Sequence, residues 1–373
     1  MQRSPLEDLH RAAGARFAAG GASAVPLTFG DVPAEYKAGA TGAALLDETE
    51  RGALRVRGAD AGDFLHRVLA NRVKGLGVGA GARNMLLSAK GKVEHLFDLA
   101  VDADGFLLST PLGGAAALAA GLDRYLFGEK VTLADTTAMH APIAIAGPRG
   151  TDILTAVLGP VPDLARGNFA HIAFGATPVV LYRVAVAGSL SWRLDAGPDG
   201  VRELWSALER AGARPIGRVA TDSLRIEAGW GEAGLDVDAN VYPQEARLED
   251  GFSLEKGCYI GQEVVAKIDT YGGINKRLVL VAISHDDPLA RGTRLMGRDD
   301  TTGEPRELGL ITSWAYSFVR DGGLAIAYVK RRHQKEGTRF ELLGPEGTAL
   351  AGTAQIVPMP QREGALTPTG EFE

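Results

Sequence analysis

The stretch that decides the interpretation of this chain is Leu254-Glu-Lys-Gly-Cys-Tyr-Ile-Gly-Gln-Glu-Val-Val-Ala-Lys267. It holds the only cysteine of the 373 residues, Cys258, between two glycines. The apolar residues Val264, Val265 and Ile268 predict that a helix follows, so the loop leads into a helix N-terminus. Free amide groups at such a terminus favour anions and lower the pKa of a nearby thiol. On the residues alone, a lone cysteine such as Cys258 is more often an inert, small hydrophobic side chain.

Composition limits the classes of function. The chain has 40 Lys and Arg against 46 Asp and Glu, a formal net charge of −6. This balance argues against a general nucleic-acid binder, because phosphate neutralisation requires clustered basic residues. The basic run Lys330-Arg331-Arg332-His333 is typical of a solvated turn. A single cysteine excludes an intrachain disulfide and a cysteine-rich metal or iron–sulfur site within one chain.

The sequence predicts neither a targeting segment nor a membrane span. Residues 1–20 include acidic side chains and no continuous apolar core, unlike a signal peptide. No stretch approaches the roughly 20 apolar residues that cross a bilayer. We therefore expect a cytoplasmic protein without a membrane partner and without direct nucleic-acid binding.

The pattern of elements favours an α+β fold. Residues 5–20 have helical spacing, whereas 84–88 and 94–101 have the pattern of strands. Asp104-Gly105 predicts a hairpin turn into a further strand at 106–109. This mixture of hairpins and interspersed helices differs from a strictly alternating α/β pattern.

The character of the sequence changes near residue 276, where short apolar runs separated by turn residues predict a small β-barrel. We divide the chain accordingly into four parts. These are the first part of a body (1–140), its second part with the cysteine loop (141–275), the barrel (276–361) and a loose polar tail (362–373).

The octapeptide Lys256–Glu263, K-G-C-Y-I-G-Q-E, closely resembles the signature of the YgfZ-like folate-binding proteins of the glycine-cleavage T-protein superfamily. The resemblance extends over almost the whole chain. Ser4-Pro5-Leu6 is similar to the opening of the family, and Lys90-Gly91-Lys92 to a later block. Leu224–Gly229, L-R-I-E-A-G, is similar to the L-R-x-E-A-G element of the superfamily.

The resemblance implies a cloverleaf-like T-protein fold, a two-part folate-binding body around a central cavity followed by a C-terminal β-barrel. It also implies tetrahydrofolate or a derivative as the cofactor. Glu227 matches the glutamate that binds the polar edge of the pterin, where a carboxylate can accept two parallel hydrogen bonds. An ordinary salt bridge with Arg225 is the alternative role for Glu227. The folate-contacting residues implied by the two motifs are Arg225, Glu227, Lys256, Tyr259, Gln262 and Glu263.

The chain departs from the aminomethyltransferases of the superfamily in a stretch where those enzymes carry an acidic pair. The matching positions hold His95 and Leu96, and a leucine can neither orient nor accept a proton from a reacting amine. Asp98 or Glu94 could substitute, although a shift along a strand can change the face. The enzymes also have a basic residue at the position of Gln262 and no cysteine in that loop.

These departures favour a factor that binds tetrahydrofolate and supports iron–sulfur cluster assembly or repair, with cluster enzymes or assembly proteins as partners. In this interpretation Cys258 is the functional thiol, or a cluster ligand shared with a partner. The first alternative is a folate-dependent aminomethyltransferase or a related demethylase. The second is a non-catalytic interaction protein.

Overall fold

A computed structural model describes residues 4–18, 25–111, 113–298 and 303–360 of the chain. The predicted tail at 362–373 lies outside the described residues. The helices are α1 (Glu7–Ala12), α2 (Val32–Thr41), α3 (Ala61–Val68), α4 (Ala115–Asp123), α5 (Gly150–Leu158), α6 (Gly197–Arg210), α7 (Arg218–Glu227) and α8 (Gln262–Tyr271). In the described part of the chain, none of them is long and apolar enough to cross a membrane.

The strands run from the N-terminal body into the barrel. They are β1 (Ala44–Asp47), β2 (Gly52–Arg57), β3 (Gly81–Leu87), β4 (Val93–Asp102), β5 (Gly105–Thr110), β6 (Thr132–Asp135), β7 (Pro142–Ala146), β8 (Phe169–Phe174), β9 (Thr177–Val186), β10 (Ser189–Asp195), β11 (Arg214–Pro215), β12 (Lys276–Ile283), β13 (Arg294–Arg298), β14 (Pro305–Ser317), β15 (Gly322–Lys330), β16 (Arg339–Leu343) and β17 (Ala349–Val357).

The chain forms two compact units. The first comprises Met1–Leu87, Glu94–Thr221 and Gly251–Ile260, and the second comprises Ser88–Val93, Asp222–Asp250 and Gly261–Glu373. The division of the chain at residues 140, 275 and 361 stays a prediction.

The first unit contains two sheets with separate hydrophobic cores. One sheet has the order β11-β1-β7-β10-β9-β8 and the other the order β3-β4-β5-β2-β6. Alternation along β10 turns Trp192 and Leu194 into the core of the first sheet, where they pack with Trp205 of α6. Alternation along β4 turns Phe97 and Leu99 into the core of the second sheet. The opposite face of each strand is therefore available for polar side chains.

The second unit contains a closed barrel with the order β12-β15-β14-β13-β16-β17. Its interior is filled by aliphatic and aromatic side chains such as Val281, Ile311 and Phe340, so it is a packed core. The mixed α and β architecture with a closed six-stranded barrel confirms the predicted fold class.

The structure corrects one element at the N-terminus. A helix was predicted over residues 5–20, but α1 ends at Ala12. Gly14 has φ +81, a left-handed conformation that interrupts the helix. Arg16 then forms an isolated bridge with Thr28 instead of continuing the helix. The predicted hairpin at Asp104-Gly105 is confirmed by the pairing of β4 with β5.

Candidate active site

The cysteine loop places a buried amine beside an exposed thiol. Cys258 is exposed, whereas the Lys256 side chain is buried and its Nζ donates to the backbone oxygen of His66. The Lys256 Nζ also lies 5.0 Å from the centroid of the Tyr259 ring. Burial lowers the pKa of Lys256 to about 8, with Arg72 contributing in the same direction and Cys258 opposing it.

The two polar residues that follow this loop occupy the first turn of α8. Gly261 adopts a left-handed conformation, with φ +79, immediately before the helix. Glu263 accepts a hydrogen bond from Lys267 at 2.6 Å, one helical turn away. Gln262 and Glu263 belong to the second unit, whereas Lys256, Cys258 and Tyr259 belong to the first.

The Leu224–Gly229 element lies in the second unit and includes the end of α7 at Glu227. Glu227 Oε1 accepts hydrogen bonds from Ser317 Oγ at 2.7 Å and from the Val319 backbone nitrogen at 3.1 Å. These two bonds orient the carboxylate against the turn between β14 and β15. Arg225 contacts other acids, with Nη1 2.9 Å from the buried Asp236 and Nε 2.6 Å from Asp222.

A third polar assembly was not predicted, and it connects the two sheets of the first unit. We call Glu48, Arg51, Asp98 and Arg193 the intersheet cluster. Arg193 binds Glu48 through two bonds, Nε–Oε2 at 2.5 Å and Nη2–Oε1 at 3.4 Å. Asp98 Oδ2 accepts from Arg193 Nη1 at 3.1 Å and from Arg51 Nη2 at 3.3 Å.

Strand alternation explains how Asp98 reaches this cluster. Side chains two residues apart lie on the same face of a strand, so Leu96 and Asp98 of β4 share one face. Phe97 between them points into the hydrophobic core. His95 lies on the Phe97 face, where its ring borders Gly121 of α4. Leu96 contributes no carboxylate to this face of β4. The same face therefore gains its carboxylate from Asp98, two residues further along the strand.

Arginines keep both carboxylates of the intersheet cluster ionised. Burial acts to raise the pKa of Asp98, but Arg193, Arg51 and Arg83 together bring that pKa below its ordinary value. The pKa of Glu48 is lowered in the same way, since Arg193 and Arg51 outweigh its burial.

The two arginines of the cluster respond in opposite directions. Burial and the adjacent Arg193 lower the pKa of Arg51, against the opposing effect of the carboxylates. The pKa of Arg193 is raised, because Glu48 and Asp98 overcome its burial. Arg193 is thus the fixed cation at the centre of the cluster.

The intersheet cluster pairs a buried arginine with a partly exposed carboxylate. The Arg193 side chain is 6 % exposed, whereas that of Asp98 is 32 % exposed. An ionised carboxylate in this setting can accept a proton or a hydrogen bond from a bound amine, while the guanidinium groups hold its orientation. Nothing in the local sequence pattern marks Arg193, because a polar residue between Trp192 and Leu194 is what strand alternation predicts for the face away from the core.

Comparison with known proteins defines the class of this chain. Residues 6–256 match the family model described as the GCVT N-terminal domain. The aminomethyltransferase of Chlorobium limicola is 28 % identical over 97 % of this chain and 100 % of its own length. The aminomethyltransferase of Saccharopolyspora erythraea is 30 % identical over 96 % of this chain and 97 % of its own.

Comparison with solved structures also finds a T-protein. The crystal structure of glycine cleavage system aminomethyltransferase T from Bartonella henselae superposes with a TM-score of 0.83 at 23 % sequence identity, covering 96 % of this chain and 97 % of that chain. The protein is therefore of the T-protein class in its fold. Its sequence belongs to the GCVT N-terminal domain family.

These comparisons overturn the main functional interpretation of the sequence. The expectation of a factor for iron–sulfur cluster assembly or repair is wrong, because relatives aligned over nearly the whole chain are named aminomethyltransferases. A functional role for the Cys258 thiol stays a prediction. The replacement of the acidic pair by His95 and Leu96 carried that expectation, with Asp98 and Glu94 open as substitutes. Asp98 retains a carboxylate on the strand face of Leu96, where the motif comparison indicated a loss.

Proposed function

We propose that this protein is a tetrahydrofolate-dependent aminomethyltransferase that moves a one-carbon unit from an aminomethyl donor to the folate. The observation that carries the proposal is the ionised, partly exposed Asp98 carboxylate held by Arg193 and Arg51. Its support from comparison is the match to relatives named aminomethyltransferase along almost their full length. When bound, tetrahydrofolate supplies the amine nitrogens that take up the one-carbon unit.

The polar groups of the chain suit such a ligand. An aminopyrimidinone edge presents N–H donors, and a carboxylate is the acceptor that pairs with them in parallel. The oriented carboxylate of Glu227 has this chemistry, and we assign it to the pterin edge. Arg225 stabilises the segment that carries Glu227 through its bonds to Asp236 and Asp222. Lys256, Tyr259, Gln262 and Glu263 remain candidate folate contacts.

Asp98 has the acid–base role in this proposal. Its Oδ atoms accept a proton or a hydrogen bond from the reacting amine, and Arg193 and Arg51 hold the carboxylate in place. Glu48 fixes Arg193 from the opposite side through its bidentate pair. The cluster is in this way ordered before any ligand binds, which lowers the entropic cost of reaching a reactive arrangement.

The direct test measures ammonia release and methylenetetrahydrofolate formation from an aminomethyl-lipoyl carrier. Wild-type protein should catalyse both, and Asp98→Asn should lower kcat by about 100-fold or more, since an amide cannot take up the proton. Asp102→Asn is the matched control. Asp102 lies on the same face of β4 and pairs with a different arginine, Arg55, at 3.2 Å. No turnover with wild-type protein would contradict the proposal.

The pterin assignment has a separate test by anaerobic calorimetry with tetrahydrofolate. Glu227→Gln should weaken binding, because it replaces a carboxylate oxygen by an amide donor. Ser317→Ala is the control, since it removes one bond to Glu227 while the carboxylate stays. Equal loss in both variants would indicate a structural role for Glu227 instead of pterin recognition.

The YgfZ-like branch is a subgroup of the superfamily, so membership of this branch is a separate prediction from membership of the family. It rests on the octapeptide Lys256–Glu263 and stays a prediction. A carrier protein that presents the aminomethyl group is the protein partner that the proposed reaction requires.

A further inference from the structure

One short turn supplies two of the four members of the intersheet cluster. The turn Asp47–Arg51 follows β1 and carries Glu48 and Arg51. Two internal bonds define its shape. The Thr49 backbone nitrogen donates to Asp47 Oδ1 at 2.8 Å, and the Arg51 backbone nitrogen donates to the Glu48 oxygen at 2.9 Å. The side chain of Asp47 therefore sets the path of the turn.

The N-terminal segment holds Asp47 from the other side. Asp47 Oδ2 lies 2.9 Å from both Ser4 Oγ and His10 Nε2. Thr49 Oγ1 closes the network by donating to Ser4 Oγ at 2.9 Å. The side chains of His10 and Asp47 are each 1 % exposed, so water does not compete for these bonds.

The His10 ring is itself fixed by packing. Its centroid lies 4.8 Å from the Trp205 ring and 5.5 Å from the Phe29 ring, in edge arrangements. Asp47 points to the same side of β1 as Leu45, which belongs to the first core. Glu48, the next residue, bonds instead to Arg193 on the cluster side. A displacement of Asp47 is thus passed to Glu48 through a single backbone link.

We propose that Ser4 and His10 are positioning residues for the active site, acting through Asp47 to fix the turn that carries Glu48 and Arg51. The inference rests on the proposed function, because it concerns the same carboxylate, Asp98. It assigns to the N-terminal segment a part in catalysis without contact with the reacting atoms.

The inference has an electrostatic consequence at Asp98. This carboxylate faces Arg51 and Arg193 directly, and Arg83 also lowers its pKa. If the turn moves, Arg51 and the Glu48-bound Arg193 lose their alignment. The pKa of Asp98 should then rise toward its ordinary value, because less positive charge stabilises the ionised form.

The test compares two replacements of His10. His10→Leu keeps the packing against the aromatic rings but removes the donor to Asp47, whereas His10→Gln retains an N–H donor. For His10→Leu we expect kcat to fall about 10-fold or more with KM nearly unchanged, as for a loss of alignment. The acid limb of the pH–rate profile should move to higher pH. His10→Gln should restore both quantities toward wild type.

A readout independent of activity separates this inference from the proposed function. The titration of the Asp98 carboxyl carbon, followed by NMR in the free protein, should shift to higher pH in His10→Leu and return in His10→Gln. Ser4→Ala is a milder variant that should show a smaller shift in the same direction, in case His10→Leu does not fold. Absence of turnover in wild type, with these NMR shifts present, would contradict only the proposed function.

The control lies on the same helix. Arg11→Ala removes a mostly exposed side chain that pairs with Glu7 at 2.8 Å and does not enter the Asp47 network. It should leave both the titration and kcat as in wild type. Unchanged titration of Asp98 in His10→Leu and Ser4→Ala, with both variants folded, would overturn the inference. Equal effects of His10→Leu and His10→Gln would also overturn it.

Discussion

Arg193 and Arg225 are two buried arginines with similar chemistry and different surroundings. Each is bound by two or more carboxylates within its own unit. Asp236, a partner of Arg225, is 0 % exposed, whereas Asp98, a partner of Arg193, is 32 % exposed. We call the Arg225 network closed, after Asp236, and the Arg193 network open, after Asp98. A closed carboxylate stabilises the fold through its ion pair, whereas an open one can also present its charge to a ligand.

The largest effect on stability is expected when the closed network is broken. Arg225→Met should lower the free energy of unfolding by about 3–5 kcal/mol, because it leaves the Asp236 carboxylate buried without its cation. Chemical denaturation measures this loss. Arg277→Met is the control, since the Arg277–Glu249 pair is about one-third exposed and should contribute about 1 kcal/mol or less. Similar losses of stability in Arg225→Met and Arg277→Met would show that the exposure of the carboxylate does not determine how much its ion pair stabilises the fold.

Breaking the open network should reduce activity more than stability. Arg193→Met removes the group that orients Asp98 and Glu48, so we expect kcat/KM for aminomethyl transfer to fall about 100-fold. Its stability loss should be smaller than that of Arg225→Met, because water can reach Asp98 in the variant. If Arg193→Met is strongly destabilised but its folded molecules keep full activity, the proposed contrast between Arg193 and Arg225 is wrong.

The pH dependence of stability tests whether Arg193 lowers the pKa values of its partner carboxylates. The pKa values of Asp98 and Glu48 are lowered in the folded protein, so their contribution is present above the unfolded pKa and lost as pH falls through the folded value. The loss should therefore appear below about pH 4. Melting temperatures across this range should fall less steeply in Arg193→Met than in wild type. Parallel curves would show that Arg193 does not lower these pKa values.

Local patterns were sufficient to predict much of the fold. The change of character near residue 276 coincides with the start of β12 at Lys276, and the Asp104-Gly105 turn joins β4 to β5. These features depend on neighbouring residues, through strand periodicity and turn chemistry. The β1 strand was missed, because its four residues are too short a run to show a period.

The intersheet cluster could not be predicted in the same way. Its members come from the turn after β1, the middle of β4 and the end of β10, so only long-range packing brings them together. The motif comparison identified positions 95 and 96 but gave no information on which face each side chain occupies. The sequence alone leaves Asp98 open as a substitute for the acidic pair. Strand alternation in β4 shows that it shares the face of Leu96.

The smallest effect in this series is expected at Cys258. The resemblance of its loop predicts a catalytic thiol, whereas the proposed transfer assigns the proton-accepting role to Asp98. Cys258 is exposed, and the buried amine of Lys256 donates a hydrogen bond to the His66 backbone oxygen. Cys258→Ala should therefore change kcat/KM by less than about twofold, as for an exposed side chain without a part in the reaction. Alkylation of the native thiol by iodoacetamide, followed by the same transfer assay, checks this without a mutation. A loss comparable to that of Asp98→Asn would instead place Cys258 in the reaction.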